Sequence, residues 1–309
     1  MNILIGGIGG DIGLGAARIL NDYQWKGSIN GADISNNHPG HHFCQNCYIL
    51  PYAENNGFLK ALEKCIKLND IAFYIPTSET EIRFLSSQSI KKVGDAEVLL
   101  SNDLLLQNSL DKFSCLNFLN SKGIKVPSNG LIGINEPEEF PVIIKPRNGS
   151  GSRDIKIFDT KEKFASHVTD SDQEMVWQKY LLPEDEFTCP VFRSPKTGVR
   201  SLIIKRTLLY GFTYSGEVIE DQSISKYLKD IAETFDLNGI MNIQLRVTNE
   251  GPLLFEINPR LSSTLVFRHL MGFRDLIWWL NEMSSTEIPD YLPPKAGTKF
   301  YRGLREYFD

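Results

Sequence analysis

The sequence predicts an α/β protein in two parts, a small parallel sheet at the N-terminus followed by strand-rich α+β lobes. Three observations carry that prediction. Residues 1–100 alternate apolar strands with helices, the order that builds a parallel sheet. Residues 141–158 read strand, glycine-serine loop, strand. Residues 253–260, Leu-Leu-Phe-Glu-Ile-Asn-Pro-Arg, alternate as a strand does, with Glu256, Asn258 and Arg260 on one face and Phe255, Ile257 and Pro259 on the other.

Composition narrows the function class. A chain of 309 residues has room for two domains, or for one with a smaller inserted domain. Hydrophobic residues at 41% and charged residues at 23% describe an ordinary globular protein. A net charge of −5 argues against nucleic-acid binding through bulk electrostatics. The start runs from Met1 directly into an apolar strand and glycines, without the basic region of a signal peptide. The apolar run Leu276-Ile277-Trp278-Trp279-Leu280 is too short to span a membrane and is flanked by Asp275 and Glu282. Five scattered cysteines fit a reducing compartment better than a disulfide framework, and the expected location is cytoplasmic.

The N-terminal glycines, Gly7-x-x-Gly10-x-x-Gly13 with Asp33 after a second strand, resemble a dinucleotide-binding turn leading into a helix at residues 14–20. Glycines there also serve tight packing alone, so cofactor and structure both stay open. A short-chain oxidoreductase would need a Tyr and a Lys four apart on a helix. The pair Tyr291 and Lys295 straddles Pro293-Pro294, which forbids a helix. His38, His41, His42, Cys44 and Cys47 lie close in sequence, but the histidines precede the cysteines too closely for a zinc finger, and a plain loop into a strand is expected. The loop at residues 77–81 follows a buried strand, where ligands usually bind, although Ser78 and Glu81 also have the spacing of a helix cap.

After a strand at residues 98–100, a helix at 110–122 carries Lys112 near its start. Lys145 ends the next strand, ahead of the loop Asn148, Gly149, Ser150, Gly151 and Ser152, whose amides can fold over phosphate while the lysine neutralises it. No Gly-Lys-Ser/Thr follows and the loop leads to a strand, so it is not a Walker loop. Glu186 opens a strand, a suitable place for a carboxylate to accept ribose hydroxyls. Arg200, Lys205 and Arg206 could face an anionic substrate or form a charged sheet edge. A helix at 225–235 and a strand at 240–247 follow. If Val247 pairs with Leu253 across a five-residue loop, Gln244 lies opposite Glu256 and Asn242 opposite Asn258, which gathers oxygen ligands suited to Mg²⁺.

Together these segments resemble the ATP-grasp superfamily, and more closely the ATP-grasp halves of the carbamoyl-phosphate synthase large subunit and their small stand-alone relatives. The resemblance covers essentially the whole chain. It implies a pre-ATP-grasp domain at residues 1–108, a small lobe with the phosphate loop at 109–181 and a C-terminal lobe with the metal and phosphate strands at 182–309. It implies that Lys112 and Lys145 contact ATP phosphates under the loop 148–152. Backbone along Gln178, Lys179, Tyr180 and Leu181 would read adenine, and Glu186 would bind ribose. Gln244, Glu256 and Asn258 would hold Mg²⁺ or Mn²⁺, with Arg260 on the phosphoryl group or acyl phosphate. Lys179 stands where relatives often carry Glu, and the stretch after Arg260 lacks glycines common in relatives. The function implied is an ATP- and Mg²⁺-dependent ligase joining a small carboxylate to an amine or thiol through an acyl phosphate, with Arg260 and Lys145 as its catalytic residues. Alternatives are a carboxyphosphate or carbamate kinase, an NAD-binding oxidoreductase and a non-catalytic nucleotide-binding module. Relatives are often dimers, and a homodimer is carried as an expectation.

Overall fold

A computed structural model of the chain describes residues 1–149, 154–169, 174–182, 185–209, 211–303 and 306–307. The N-terminal part alternates strand and helix as expected: β1 (Asn2–Gly6), α1 (Asp11–Asp22), β2 (Ile29–Asp33), a short 3-10 turn at Pro39–His42, β3 (Asn46–Ile49), α2 (Phe58–Leu68), β4 (Ile71–Ile75), α3 (Glu79–Ser87), β5 (Lys92–Val93) and β6 (Ala96–Val98). These form one sheet in the order β3-β2-β1-β4-β6-β5, parallel except for the β5–β6 hairpin. The strand expected at 98–100 falls earlier because Gly94, at φ +55°, turns a tight hairpin that pairs Val93 with Ala96.

Two helices follow, α4 (Asp103–Ser109) and α5 (Lys112–Ser121), where one at 110–122 was expected. Asp111 separates them: it takes extended backbone and caps α5 by accepting the Ser114 amide. A second, antiparallel sheet comprises β7 (Asn129–Leu131), β8 (Val142–Pro146), β9 (Lys156–Phe158) and β10 (Met175–Lys179) in the order β7-β10-β8-β9, with α6 (Lys161–His167) after β9. The third sheet is also antiparallel and runs β16-β15-β11-β13-β14-β17, with β12 beside β11. Its strands are β11 (Glu186–Ser194), β12 (Gly198–Ser201), β13 (Ile203–Leu209), β14 (Phe212–Ile219), β15 (Gly239–Thr248), β16 (Gly251–Asn258) and β17 (Lys299–Tyr301). Helices α7 (Gln222–Thr234), α8 (Leu265–Leu270) and α9 (Asp275–Met283) complete the chain. No helix among the described residues is long and apolar enough to cross a membrane.

The last two helices return to the first sheet. Ile3 and Ile5 of β1 share one buried cluster with Leu265, Phe273, Trp278 and Phe192, so the first and third sheets close over a common core. This joins the two parts and fixes the cleft between them.

Hairpin β15–β16 gives the expected register by a different route. Gln244 lies opposite Glu256 and Asn242 opposite Asn258, but the turn holds only Asn249 and Glu250 between paired Thr248 and Gly251. A bulge between Gln244 and Leu245 makes up the difference, with Leu254 opposite Leu245 and Phe255 the extra residue. Strict alternation therefore breaks at Phe255. Leu254 and Ile257, three apart, both enter the core, while Phe255 turns out toward a cavity beside Glu256. Pro259 ends the strand, and Arg260 lies beyond it instead of on its face.

Below this hairpin a buried polar chain supports Asn242. The Thr188 and Ser262 hydroxyls donate to Asn242 Oδ1, Arg268 donates to Ser262 and Thr264, and Asp275 receives Arg268 through Nε and Nη2. Arg268 and Asp275 are each 1% exposed, so removing either leaves an uncompensated buried charge. Asp275→Ala should destabilise the protein by about 3–5 kcal/mol, read as a lower urea midpoint, whereas Lys226→Ala, in an exposed i,i+4 pair with Asp230, should change it by less than about 1 kcal/mol.

Candidate active site

Two of the cavities among the described residues gather residues singled out from sequence. The larger, about 770 Å³, lies where β8 and β10 of the second sheet face β15 and β16 of the third. It is of ligand-pocket size and gathers most of the residues singled out from sequence. Lys112, Lys145, Asn148 and Gly149 line one end. Gln178, Lys179, Tyr180 and Leu181 line another, with Glu186, Gln244 and Glu256 along the third sheet. Ser150, Gly151 and Ser152 lie outside the described residues.

The described base of the glycine loop is held from two directions. Lys112 Nζ donates to the Gly149 carbonyl, and the Lys112 amide donates to Arg147 O. Arg147 in turn pairs with Asp111 at 2.6 Å. From helix α3, Glu79 accepts the Gly149 amide at 3.1 Å and Arg83 donates to Asn148 Oδ1 at 3.2 Å. Burial alone would raise the Glu79 carboxyl, but the Arg83 pair, with Lys112 and Arg260, brings it below its usual value. Gly149 sits at φ +95°, a backbone shape that favours glycine.

Lys145 is buried, at 6% exposure, and its Nζ donates to the Phe255 carbonyl at 2.8 Å. Burial pulls its pKa down to about 8, against the opposing pull of Glu256. Arg260 is shifted the same way by burial, with Glu79 and Glu256 resisting. Among the described residues the Glu256 carboxylate has no hydrogen-bond partner. A buried lysine and a half-buried arginine thus stand near an uncommitted carboxylate.

At the other end Gln178 is 1% exposed and its Oε1 has no partner among the described residues. The Lys179 amide is occupied by Ser128 O and the Tyr180 amide by Pro141 O, while the Leu181 amide has no partner among the described residues. The Lys179 side chain pairs with Glu139 at 2.7 Å. Glu186 is not a free carboxylate. Oε1 accepts Arg206 Nε and Nη2, and Oε2 accepts Arg246 Nη2 at 2.8 Å, so roughly one of its four acceptor sites remains.

The smaller cavity, about 540 Å³, lies between the first sheet and the third. Asn258 and Arg260 open onto it, and Gln244, Glu256 and Arg206 line both cavities. The opposite wall comes from Gly7, Gly10, Asp33, Thr77 and Ser78. Here the glycine turn is explained by packing. A Cβ on Gly13 would meet Gly7 O at 2.3 Å, and Gly7 sits at φ +62°. The Asp33 carboxylate, which a dinucleotide would use for ribose, accepts the Gly9 and Ile34 amides at 2.8 and 2.7 Å. At residues 77–81 Ser78 and Glu81 form a complete capping box, and Thr77 donates to Gly6 O.

Several of the residues singled out from sequence have other partners. Asn242 Oδ1 is engaged by two hydroxyls and is not directed at a cation. Gln244 Oε1 accepts Arg206 Nη2 at 2.9 Å, which leaves one lone pair. Arg200 faces neither cavity: it lies over Trp278 at 4.6 Å and donates to Pro289 O. Sequence reasoning missed Arg83 and Arg246, and singled out Glu79 only as part of the loop at residues 77–81. The i,i+4 pair Glu79–Arg83 at the carboxyl end of β4 was the available signal.

Comparison with known proteins agrees with this geometry. A family model described as ATP-grasp domain matches residues 109–264, and the chain belongs to that family. It is 24% identical over 190 residues to a D-alanine–D-alanine ligase of Aquifex aeolicus, covering 55% of this chain and 65% of that protein. The chain therefore spans just under two thirds of that relative's length. An ADP complex of N5-carboxyaminoimidazole synthetase from Staphylococcus aureus superimposes with a TM-score of 0.74 at 16% identity, over 94% of this chain and 78% of the other. An L-amino acid ligase from Bacillus licheniformis gives 0.71 at 14% identity, over 94% and 77%. These likenesses establish the fold; the nearer likeness to carbamoyl-phosphate synthase holds only at the level of the shared family.

The depressed Lys145 pKa has a stability consequence with a definite sign. Below about pH 8 both folded and unfolded lysine carry the proton, and the folded state bears the full burden of a buried charge. Between about 8 and the ordinary 10.5 the folded lysine is neutral while the unfolded one is still protonated, so stability rises with pH. Buried thiols such as Cys115 and Cys189, pushed up to about 12, slope the other way. The difference between wild type and Lys145→Met isolates the lysine. Wild type should gain on the order of 3 kcal/mol relative to the variant from pH 8 to 10.5 in urea unfolding.

Proposed function

We propose that this protein is an ATP- and Mg²⁺-dependent, ADP-forming ligase that joins a small-molecule carboxylate to an amine or thiol through an acyl phosphate. The single observation that carries the reading is that Gln244 and Glu256 line both cavities, so a triphosphate in the larger one ends where a substrate in the smaller one begins.

The larger cavity takes the nucleotide. Gln178 Oε1 and the Leu181 amide, unpartnered, suit the donor and acceptor edges of adenine. Glu186, fixed by Arg206 and Arg246, keeps one acceptor site for a ribose hydroxyl. Lys112, Lys145 and the loop from Asn148 take the phosphates. The donor set fits Mg²⁺, a hard cation that prefers carboxylate and amide oxygens. Glu256 and Asn258 would hold it, with Gln244 contributing its remaining lone pair. When bound, that cation supplies charge neutralisation at the phosphate oxygens.

The substrate carboxylate attacks the terminal phosphorus in line: a carboxylate oxygen–phosphorus bond forms and the bond to the bridging oxygen of ADP breaks. Lys145 and Arg260 stabilise the charge that accumulates on the transferring group, and they do so strongly because both are desolvated before substrate arrives. The nucleophile then attacks the acyl carbon, inorganic phosphate leaves, and the nucleophile's proton passes to solvent. The smaller cavity offers apolar surface from Ile34, Tyr52, Leu208 and Phe212 opposite the hydroxyls of Thr77, Ser78 and Ser263. Its substrates therefore combine an apolar body with a polar reacting end.

Three measurements test this reading. Phosphate release should require one carboxylate and one nucleophile together, and Glu256→Ala should lower its kcat on the order of 100-fold or more; undiminished turnover by that variant in saturating Mg²⁺ sinks the assignment. ADP with Mg²⁺ at 100 times its Kd should stabilise the fold by about 2.7 kcal/mol, and NAD should leave the melting temperature unchanged. Gln178→Leu should raise the KM for ATP about tenfold with kcat nearly unchanged, since it removes one hydrogen bond made equally in ground and transition states.

A further inference from the structure

Outside both cavities, the connection between β2 and β3 brings together a group of soft donors. A ring nitrogen of His38, a ring nitrogen of His41 and Cys47 Sγ lie within 4.8 Å of one another. Local geometry explains the meeting. His38 caps the 3-10 turn and His41 sits three residues on, and in a 3-10 turn positions i and i+3 eclipse. The two rings accordingly stack, with centroids 5.0 Å apart and 14° between planes. Cys47 enters from β3, opposite Gly31 of β2, and Cys44 stands three residues before it, in part packed against the apolar core.

The histidines are arranged to ligate. His41 Nε2 lies 3.2 Å from Asn36 O; donating there fixes the ring proton on Nε2 and leaves Nδ1 as a lone-pair donor, the usual disposition of a metal-bound imidazole. His38 Nδ1 accepts the Gly40 amide at 3.1 Å, and its Nε2 is buried without a partner among the described residues. A cation would exchange that one Gly40 contact for a coordinate bond to the ring.

We propose that His38, His41 and Cys47 bind one soft divalent cation of the Zn²⁺ class, with the neighbouring Cys44 thiol drawn in as the fourth ligand, in a structural site separate from the oxygen donors at Glu256. Two sulfurs and two imidazoles make a closed tetrahedral set that prefers Zn²⁺ to Mg²⁺. The bound ion staples the β2–β3 connection to edge strand β3. This matters to the smaller cavity, because Asp33 and Ile34 at the start of the connection line it, and a Cβ on Gly9 would meet His38 Cβ at 3.0 Å. The ion thus holds one wall of that cavity in place.

The test is Co²⁺ titration of the full chain, stripped with chelator and kept reduced with a phosphine, followed by absorption. One equivalent should develop tetrahedral ligand-field bands with a thiolate-to-cobalt charge-transfer band, and Zn²⁺ should bleach both. Cys47→Ser should lower the charge-transfer intensity by roughly half, one thiolate of two remaining, and His41→Ala, at an exposed position whose loss leaves folding intact, should weaken Co²⁺ binding at least tenfold. Glu256→Ala should keep the full spectrum, which separates this site from the fate of the ligase reading. Absorption of the weak oxygen-ligand type in wild type overturns the proposal, as does an unchanged spectrum and affinity in both Cys47→Ser and His41→Ala.

Discussion

The contact between Lys145 Nζ and the Phe255 carbonyl, 2.8 Å, is the constraint on which the site depends. A bulge in β16 leaves its extra residue out of regular ladder pairing, and the lysine of β8 takes up the Phe255 carbonyl. That bond ties the second sheet to the third at the point where the two cavities meet. It also removes the lysine from water. One neutral carbonyl compensates a buried ammonium poorly, so the pKa falls, and the Glu256 carboxylate becomes the nearest source of balancing charge.

The same bulge explains how far sequence could go. Alternation through Glu256, Asn258 and Arg260 reads as one face of a strand, and Gln244 does stand across from Glu256. A five-residue loop without a bulge and a two-residue turn with one give the same pairing at that point, because the shorter turn and the extra residue offset each other. The polar partners were legible for that reason, while Phe255 was assigned to the wrong side. A period of two cannot reveal where a strand gains a residue. The order of motifs from Lys112 to Arg260 was legible because it is local, each piece a strand end or a loop with its own composition.

Contacts between distant segments were not legible. Glu79 and Arg83 reach the glycine loop across 65 to 70 residues of chain, and Arg206 and Arg246 close on Glu186 from two strands that flank it in the sheet. Nothing in the local pattern around Glu186 distinguishes a carboxylate free to meet ribose from one clamped by two guanidinium groups. At the N-terminus the opposite occurs. The spacing of Gly7, Gly10 and Gly13 was ambiguous, and packing resolves it, since helix α1 crosses so close to the turn that a Cβ on Gly13 would strike Gly7 O. Asp33 holds two backbone amides of the turn and the connection that follows β2, so the turn is built as a wall of the smaller cavity.

The electrostatic state of the free protein follows from these placements. Lys145 and Arg260 are both shifted down by burial, Lys112 adds a third positive charge, and the carboxylates nearest them are Glu79 and Glu256. Glu79 is held by Arg83 and by the Gly149 amide, so it answers to the loop as well as to the cations. A polyphosphate entering the cavity would bring the negative charge that Lys145 and Arg260 lack, and its binding should raise the pKa of Lys145 toward the ordinary lysine value. It would also compete with Glu79 for the Gly149 amide, a loop donor of the kind that phosphate oxygens accept. The Glu79 carboxylate and an incoming polyphosphate thus call on the same groups, the Gly149 amide and the cations around it.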